Sequence, residues 1–241
     1  MSLRKYFRSV SESGFEFRRK YLGTLQLRQG LPRPVSGERF ERERQFYTLL
    51  VACVRANLAP DPEVVYDIGC RNWSYAPAVA AAFPRARLVG VEVDGGRRYW
   101  NLHRRIDAAA SQASELSCTG HRANVIFDDF RNLVLPASTV SSALFCFFYP
   151  FVSERPCRKW GLPVSFARFY SLLAHAQTSE ARQNQVLSVH QGEWEAVLAR
   201  QAYGRAGLFY QETIIKPSSF TGLWPNAYDM HVFLVTDTRL R

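Results

Sequence analysis

The sequence predicts an α/β fold: a doubly wound, mostly parallel sheet with helices on both faces, finished by a C-terminal antiparallel strand hairpin. Short, almost wholly apolar runs such as "RLVGVEV" alternate with longer segments whose apolar residues recur at helical spacing. That alternation implies right-handed crossovers between parallel strands buried on both faces. The last two apolar runs, "LFYQETII" and "HVFLVTD", are joined by a loop with Pro and Gly and no helical pattern, so they should pair antiparallel.

Residues 1–35, ending in "GLPRPV", read as a basic arm and linker, because Gly30, Pro32 and Pro34 discourage regular structure. The globular domain then spans 36–241. Ser36 is a plausible N-cap for a leading helix over 36–60, with Tyr47, Leu50, Val51, Val54 and Leu58 on one face and Pro60 and Pro62 closing it. The first strand is expected at Val64 to Ile68, followed by a turn and a helix that Pro84 stops near Phe83.

"RLVGVEV" is the second strand. "GGRRYWNLHRRIDAA" then places Tyr99, Leu102 and Ile106 on one helical face, with Arg97, Arg98, Arg104 and Arg105 mostly turned outward. "ANVIFDD" and "VSSALFCFF" supply the third and fourth strands, and a helix through Phe166, Phe169, Tyr170 and Leu173 leads to the fifth, "QVLSVH". A further helix, ending near Gly204, should turn Trp194, Val197 and Leu198 inward.

Composition narrows the class. At 241 residues the chain suits one substantial domain with an appendage. Its longest apolar run, "VSSALFCFFYPFV", is shorter than a membrane span, and "MSLRKYFRSVSESGFEFRRK" lacks the apolar block of a secretory signal. Five cysteines without paired spacing suggest reduced thiols in a cytoplasmic protein, with neither a disulfide framework nor a metal site. The net charge is +10, and the first 44 residues hold eleven basic against five acidic side chains. Such an arm could engage nucleic acid, an anionic membrane or an acidic partner, or could simply be solvated; only four of the basic residues in the chain are lysines.

In sheets of this kind a ligand lies beyond the C-terminal strand ends, where the strand order reverses. "VVYDIGCRNWSYAP" places Asp67 and Gly69 there. Glu92 ends the second strand at about the 20-residue separation at which an acid meets a ribose diol. Asp129, after the third strand, could accept from an exocyclic amine, and Phe130 could stack on a base. Each has a plain alternative: Glu92 or Asp94 as a helix cap, and Asp128 and Asp129 as caps of the following turn. Three acids at the ends of three successive strands favour the ligand site.

"VVYDIGC", "LVGVEVD" and "VIFDDFRNL", in this order and ahead of a terminal hairpin, resemble the class I methyltransferases that use S-adenosylmethionine. The resemblance covers about Val64 to Asp237 and implies a seven-stranded sheet with an antiparallel last strand. It implies that Asp67 and Gly69, with the turn residues Cys70, Arg71 and Asn72, line the methionine end of the cofactor. Glu92 and Val93 would meet the ribose, and Asp128, Asp129 and Phe130 the adenine. The family's alternate glycines read Arg71 and Trp73 here, and Asn72, which tolerates a left-handed backbone, could shift the bend by one residue. A dinucleotide fingerprint would need glycines at 69, 71 and 74, and only Gly69 is one.

Methyl transfer is an in-line displacement, so acceptor-facing groups should stand where the fourth and fifth strands end. "FFYPF" offers Tyr149 as a catalytic hydrogen-bonding group and Phe148 or Phe151 as walls; "SVHQGE" offers His190 as a second catalytic group, with Glu193 behind it. Asp229 and His231 are weaker candidates. "FYPFVSERPCRKWGLPVSF" faintly resembles a segment of tRNA guanine methyltransferases, without that family's acidic turn residue. The expected acceptor is therefore a small molecule ahead of RNA, with a binding or scaffold protein that has lost turnover as the rival from another class.

Overall fold

The computed structural model describes residues 61–96, 104–151, 165–216 and 229–236. The expected arm, linker and leading helix lie outside these residues. In chain order the described elements are β1 (Val64–Ile68), α1 (Ala76–Ala82), β2 (Arg87–Val91), α2 (Arg105–Cys118) and β3 (Ala123–Ile126), followed by a single 3-10 turn at Phe130–Asn132. Then come β4 (Ser142–Phe148), α3 (Ser165–Gln177), β5 (Gln183–Gln191), α4 (Gly192–Arg205), β6 (Gln211–Ile215) and β7 (Met230–Val235).

The seven strands form one sheet in the order β3-β2-β1-β4-β5-β7-β6. The first five in that order run parallel, and β7 is antiparallel to both β5 and β6. The order reverses between β1 and β4, which places the ligand crevice at the C-terminal ends of these two strands. This is the fold that the alternation of apolar runs and the terminal strand pair predict.

Burial explains the composition of the strands. Every residue of β1 and of β4 is buried, and so is all of β2 after Arg87. Alternate side chains serve two cores. Val65, Leu88, Leu144, Cys146, Leu187 and Val232 pack on one face with Val79 of α1 and Ala113 and Leu116 of α2. Tyr66, Val89, Phe145, Phe147, Val186 and Phe233 pack on the other with Phe169 and Leu173 of α3 and the alanines of α4. Each fully buried aliphatic or aromatic side chain contributes roughly 1.5–3 kcal/mol, so these two layers fix the positions of the strand ends.

Two helices differ from the sequence expectation. The described part of α2 begins at Arg105, whose neighbour Arg104 has its backbone N–H capped by the Asp107 carboxylate at 2.8 Å, and it runs on to Cys118; Tyr99 and Leu102 lie outside the described residues. In α4 the inward face is Glu195, Ala196, Ala199, Ala202 and Tyr203, whereas Trp194 is 63% exposed and Val197 also faces out. The alanines bring the helix axis close to the sheet, and a tryptophan on that face would hold it off.

Gly90 in the middle of β2 marks another close approach. A Cβ there would lie 2.9 Å from Cys70 Sγ and 3.2 Å from two atoms of the Trp73 indole. Gly90→Ala is therefore expected to lower stability by about 1–3 kcal/mol through overpacking, measured as a shift of the urea midpoint. An unchanged midpoint would mean that Trp73 does not pack on β2.

Candidate functional site

The turn after β1 is tied to β2 before any side chain is considered. The N–H groups of Gly69 and Cys70 both donate to the Val91 carbonyl, at 2.7 and 3.2 Å. Gly69, Arg71 and Trp73 then adopt φ of 82°, 56° and 51°. Left-handed residues thus occupy every second position, the spacing at which a glycine-rich turn places its glycines. The bend is not shifted onto Asn72, whose Oδ1 accepts from the Ser74 N–H at 3.4 Å. A non-glycine residue in this region is strained by about 1 kcal/mol or more and persists only where its surroundings over-determine it.

The surroundings do so through Trp73. Its indole is fully buried against Gly90, and Nε1–H donates to Asp67 Oδ2 at 2.8 Å. The Tyr75 hydroxyl donates to the other oxygen, Oδ1, at 3.0 Å, and its ring meets Phe148 of β4 edge-on. Asp67 is thus a buried anchor under the turn. Burial pushes its carboxyl up to about 7, the two hydrogen bonds pull it down, and the nearby Glu92 carboxylate raises it further. Burial also raises the thiols of Cys70 and of Cys146, which is paired in register with Asp67.

Glu92, just past β2, reaches the same turn. Its Oε2 accepts from the Arg71 N–H at 2.8 Å and its Oε1 from the Asp94 N–H at 2.7 Å. Its side chain is 4% exposed, and each oxygen keeps a lone pair for a further donor. Val93 stands half-buried between the two acids. The strand ends of β1 and β2 therefore bring Asp67, Gly69, Cys70, Arg71, Asn72 and Glu92 together as expected.

The end of β3 is built differently. Asp128 Oδ1 accepts from the Asp129 N–H and from Asn132 Nδ2, and Asp129 accepts from the Arg131 backbone and guanidinium at 2.6–3.0 Å. Burial raises the Asp129 carboxyl, but the bonds from Arg131 outweigh it and leave it below its ordinary value. Both acids therefore serve the turn, as their capping alternative foresaw.

Two placements need correction. Phe130 does not offer a face for a base: its ring is 2% exposed and packs among Tyr66, Phe145, Phe147 and His175. His190 does not stand at the mouth of the site. It is fully buried between Phe151, Phe169 and Phe233, with Nε2 2.6 Å from the Ser188 hydroxyl, which in turn lies 2.8 Å from the Tyr203 hydroxyl. Burial, with help from the neighbouring His231, pushes its imidazole down to about 3, so it stays neutral and makes a poor base near neutral pH.

Tyr149 does stand at the end of β4, half-buried, with φ 54° and its N–H on the Val189 carbonyl at 2.9 Å. A bulky residue held in this region is a mark of functional sites. Phe148 is buried in the core and Phe151 is half-buried beside Trp194, at 6.3 Å between rings. Glu193, expected behind His190, and His231, one of the two weaker candidates, belong to an edge clamp: Arg200 of α4 bonds both Glu193 and Glu212 of β6, and His231 Nδ1 lies 2.8 Å from Glu212. Asp229 pairs with Lys216 at 2.6 Å. Sequence reasoning missed Tyr75, which the fold alone brings to Asp67, and the outward placement of Arg105 needs correction: its side chain is 12% exposed and its Nη1 lies 3.7 Å from both Glu92 and Asp94.

No family profile and no curated protein matches the chain. Solved structures match the fold. The chain superposes on an O-methyltransferase assignment from Nostoc punctiforme with a TM-score of 0.51 and 13% identity, covering 79% of this chain and 55% of that one. Geranyl diphosphate C-methyltransferase from Streptomyces coelicolor, solved with S-adenosyl-L-homocysteine, gives 0.51 and 11% identity over 81% of this chain and 80% of that one. A Pyrococcus horikoshii protein assigned as an RNA methyltransferase gives 0.51 and 14% identity over 81% and 84%. The chain thus has the class I methyltransferase fold, and it spans only about half of the Nostoc protein.

Two expectations follow from the Asp67 anchor. Trp73→Phe fills most of the space but leaves Oδ2 without its donor, so it should cost about 1–3 kcal/mol in urea unfolding. Between 3.8 and about 7 the folded chain also holds a proton that the unfolded chain has released. This group's contribution is full below about pH 4 and is lost as pH rises toward 7. Subtracting the stability–pH curve of Asp67→Asn from that of the parent should leave a difference that falls across this window; a flat difference would place the Asp67 titration elsewhere.

Proposed function

We propose that the chain is an S-adenosylmethionine-dependent methyltransferase. The observation that supports this reading best is the turn after β1, whose three alternate left-handed residues are latched to Glu92. The turn leaves backbone close to the crevice at Gly69, where a Cβ would meet nothing within 4 Å. The cofactor carries no pyrophosphate, so a turn that has lost two glycines remains adequate for it and inadequate for a dinucleotide.

In this reading the free lone pairs of Glu92 accept from the ribose, and Arg71 reaches the methionine carboxylate through a charge-assisted bond. Asp67 acts from below, fixing Trp73 and Tyr75 so that the turn keeps its shape. The bound sulfonium supplies an electrophilic methyl group. Tyr149 is positioned by its strained backbone to hydrogen-bond the acceptor, with Phe151 and Trp194 as an apolar wall on one side. This half-aromatic setting favours a small-molecule acceptor. A protein whose fold is kept for binding without turnover is the rival reading.

The basic arm supports RNA as a second reading, since phosphate contacts give salt-dependent affinity. Nuclease treatment of extracts labelled with methyl-tritiated cofactor separates the two, because only RNA methylation is abolished. A complete lack of labelled product supports the binding protein instead.

Calorimetry with S-adenosylhomocysteine tests the cofactor reading. Heat is expected at micromolar concentrations, and Glu92→Ala should weaken binding by about 1–3 kcal/mol. Absence of heat with the parent protein at high micromolar concentration sinks the reading, whereas undiminished affinity of the variant would mean that Glu92 does not touch the sugar.

A further inference from the structure

The turn that carries Tyr149 is held from α3. Near the start of that helix, Arg168 donates from Nη1 to the Pro150 carbonyl at 3.1 Å, in a buried bond. Only 9% of Arg168 is exposed. The next residue along the helix, Phe169, packs its ring against Phe151 at 5.2 Å. Two successive side chains of α3 thus reach two successive residues of the turn. From the opposite side, the Tyr149 N–H donates to the Val189 carbonyl of β5 at 2.9 Å.

The segment Tyr149–Pro150–Phe151 is therefore pinned at three points. The proline ring sets its own φ. The Arg168 bond orients the Pro150 carbonyl and so sets ψ, and the Val189 bond sets the entry of Tyr149. The soft torsion that remains, ψ of Tyr149, is determined by closure between these points. This accounts for a bulky residue staying at φ 54°.

Arginine is a costly way to satisfy one carbonyl. A loop at a strand end usually leaves such a group to water, whereas a guanidinium gives up most of its own hydration to reach it. Burial raises the Asp129 carboxyl, and after Arg131 the Arg168 charge is among the influences that lower it, so the guanidinium stands between the loops that follow β3 and β4. Precision at this turn matters for chemistry, since misplacing a reacting group by about 1 Å can slow a reaction roughly 100-fold.

We propose that Arg168 is a positioning residue for the acceptor side of the crevice, holding the Tyr149 phenol and the Phe151 wall in line with the cofactor while touching neither reactant. The inference rests on the methyltransferase reading, because methyl transfer is what the held geometry serves.

The test compares the full chain with Arg168→Met, which keeps the bulk but cannot donate, and with Arg168→Lys, which can donate to the same carbonyl. Three quantities are read: calorimetric affinity for S-adenosylhomocysteine, the initial rate at which saturating methyl-tritiated S-adenosylmethionine labels a cell extract, and amide hydrogen exchange along β4. Arg168→Met should bind S-adenosylhomocysteine within about twofold of the parent, as expected for a site remote from the sugar and the turn after β1. It should label about tenfold more slowly and exchange the Tyr149 N–H about tenfold faster, the size of one lost hydrogen bond, while the amides of Phe145 and Phe147 keep the protection they have in the parent. Arg168→Lys should restore the Tyr149 protection and most of the rate. An unchanged labelling rate in Arg168→Met overturns the proposal whether or not Tyr149 exchanges faster, and so does a lysine variant no better than the methionine one. A loss of rate matched by equal loss of protection along all of β4, or by equal loss of affinity for S-adenosylhomocysteine, also overturns it, because that pattern marks a merely structural role. A parent protein that binds S-adenosylhomocysteine yet labels nothing overturns the methyltransferase reading itself, and the positioning role with it.

Discussion

The hydrogen bond between the Trp73 indole and the Asp67 carboxylate is the constraint on which the site depends. It joins the end of β1 to the far side of the turn and sets the indole on Gly90 of β2. With that plug in place the chain has no room to relax, and Arg71 and Trp73 stay left-handed although neither is glycine. The Arg71 N–H then points at Glu92, and the strand-end acid becomes part of the turn. In glycine-rich turns the conformation comes from the absence of side chains. Here a large side chain produces it by packing.

This exchange changes what each acid does. Asp67 has both oxygens engaged by protein donors. Asp129 is bound by Arg131. Glu92, by contrast, accepts hydrogen bonds from backbone N–H groups, is ion-paired with Arg105 at 3.7 Å and keeps a lone pair on each oxygen. Three carboxylates at three strand ends thus divide into an anchor, a turn cap and a candidate ligand group. The division follows from which donors the fold places beside each one, since the residue types alone are nearly equivalent.

The other end of the sheet shows the same economy in its polar residues. His190, Ser188 and Tyr203 form a hydrogen-bonded row inside the aromatic core, and Arg200 ties α4 to the edge hairpin through Glu193 and Glu212. These contacts tie α4 to β5, β6 and β7, although His190 Nδ1 is buried without a hydrogen-bond partner among the described residues. Tyr149 sits just past the end of β4 on a left-handed backbone.

Strand positions, their mostly parallel direction and the terminal hairpin were legible in the sequence, because apolar periodicity and the lengths between strands are local and the handedness of crossovers is fixed. So was the meeting of Asp67, Gly69 and Glu92, since a register of parallel neighbours follows from topology. The inward face of α4 was misread because helical spacing alone cannot tell a large exposed residue from a buried one, and the alanines that allow close packing carry little hydrophobic signal. The fates of Phe130 and His190, the left-handed Arg71 and Trp73, and the pairing of Asp94 with Arg105 were decided by tertiary structure alone. Each depends on which distant side chain fills the neighbouring space, and that is settled only when both faces of the sheet close.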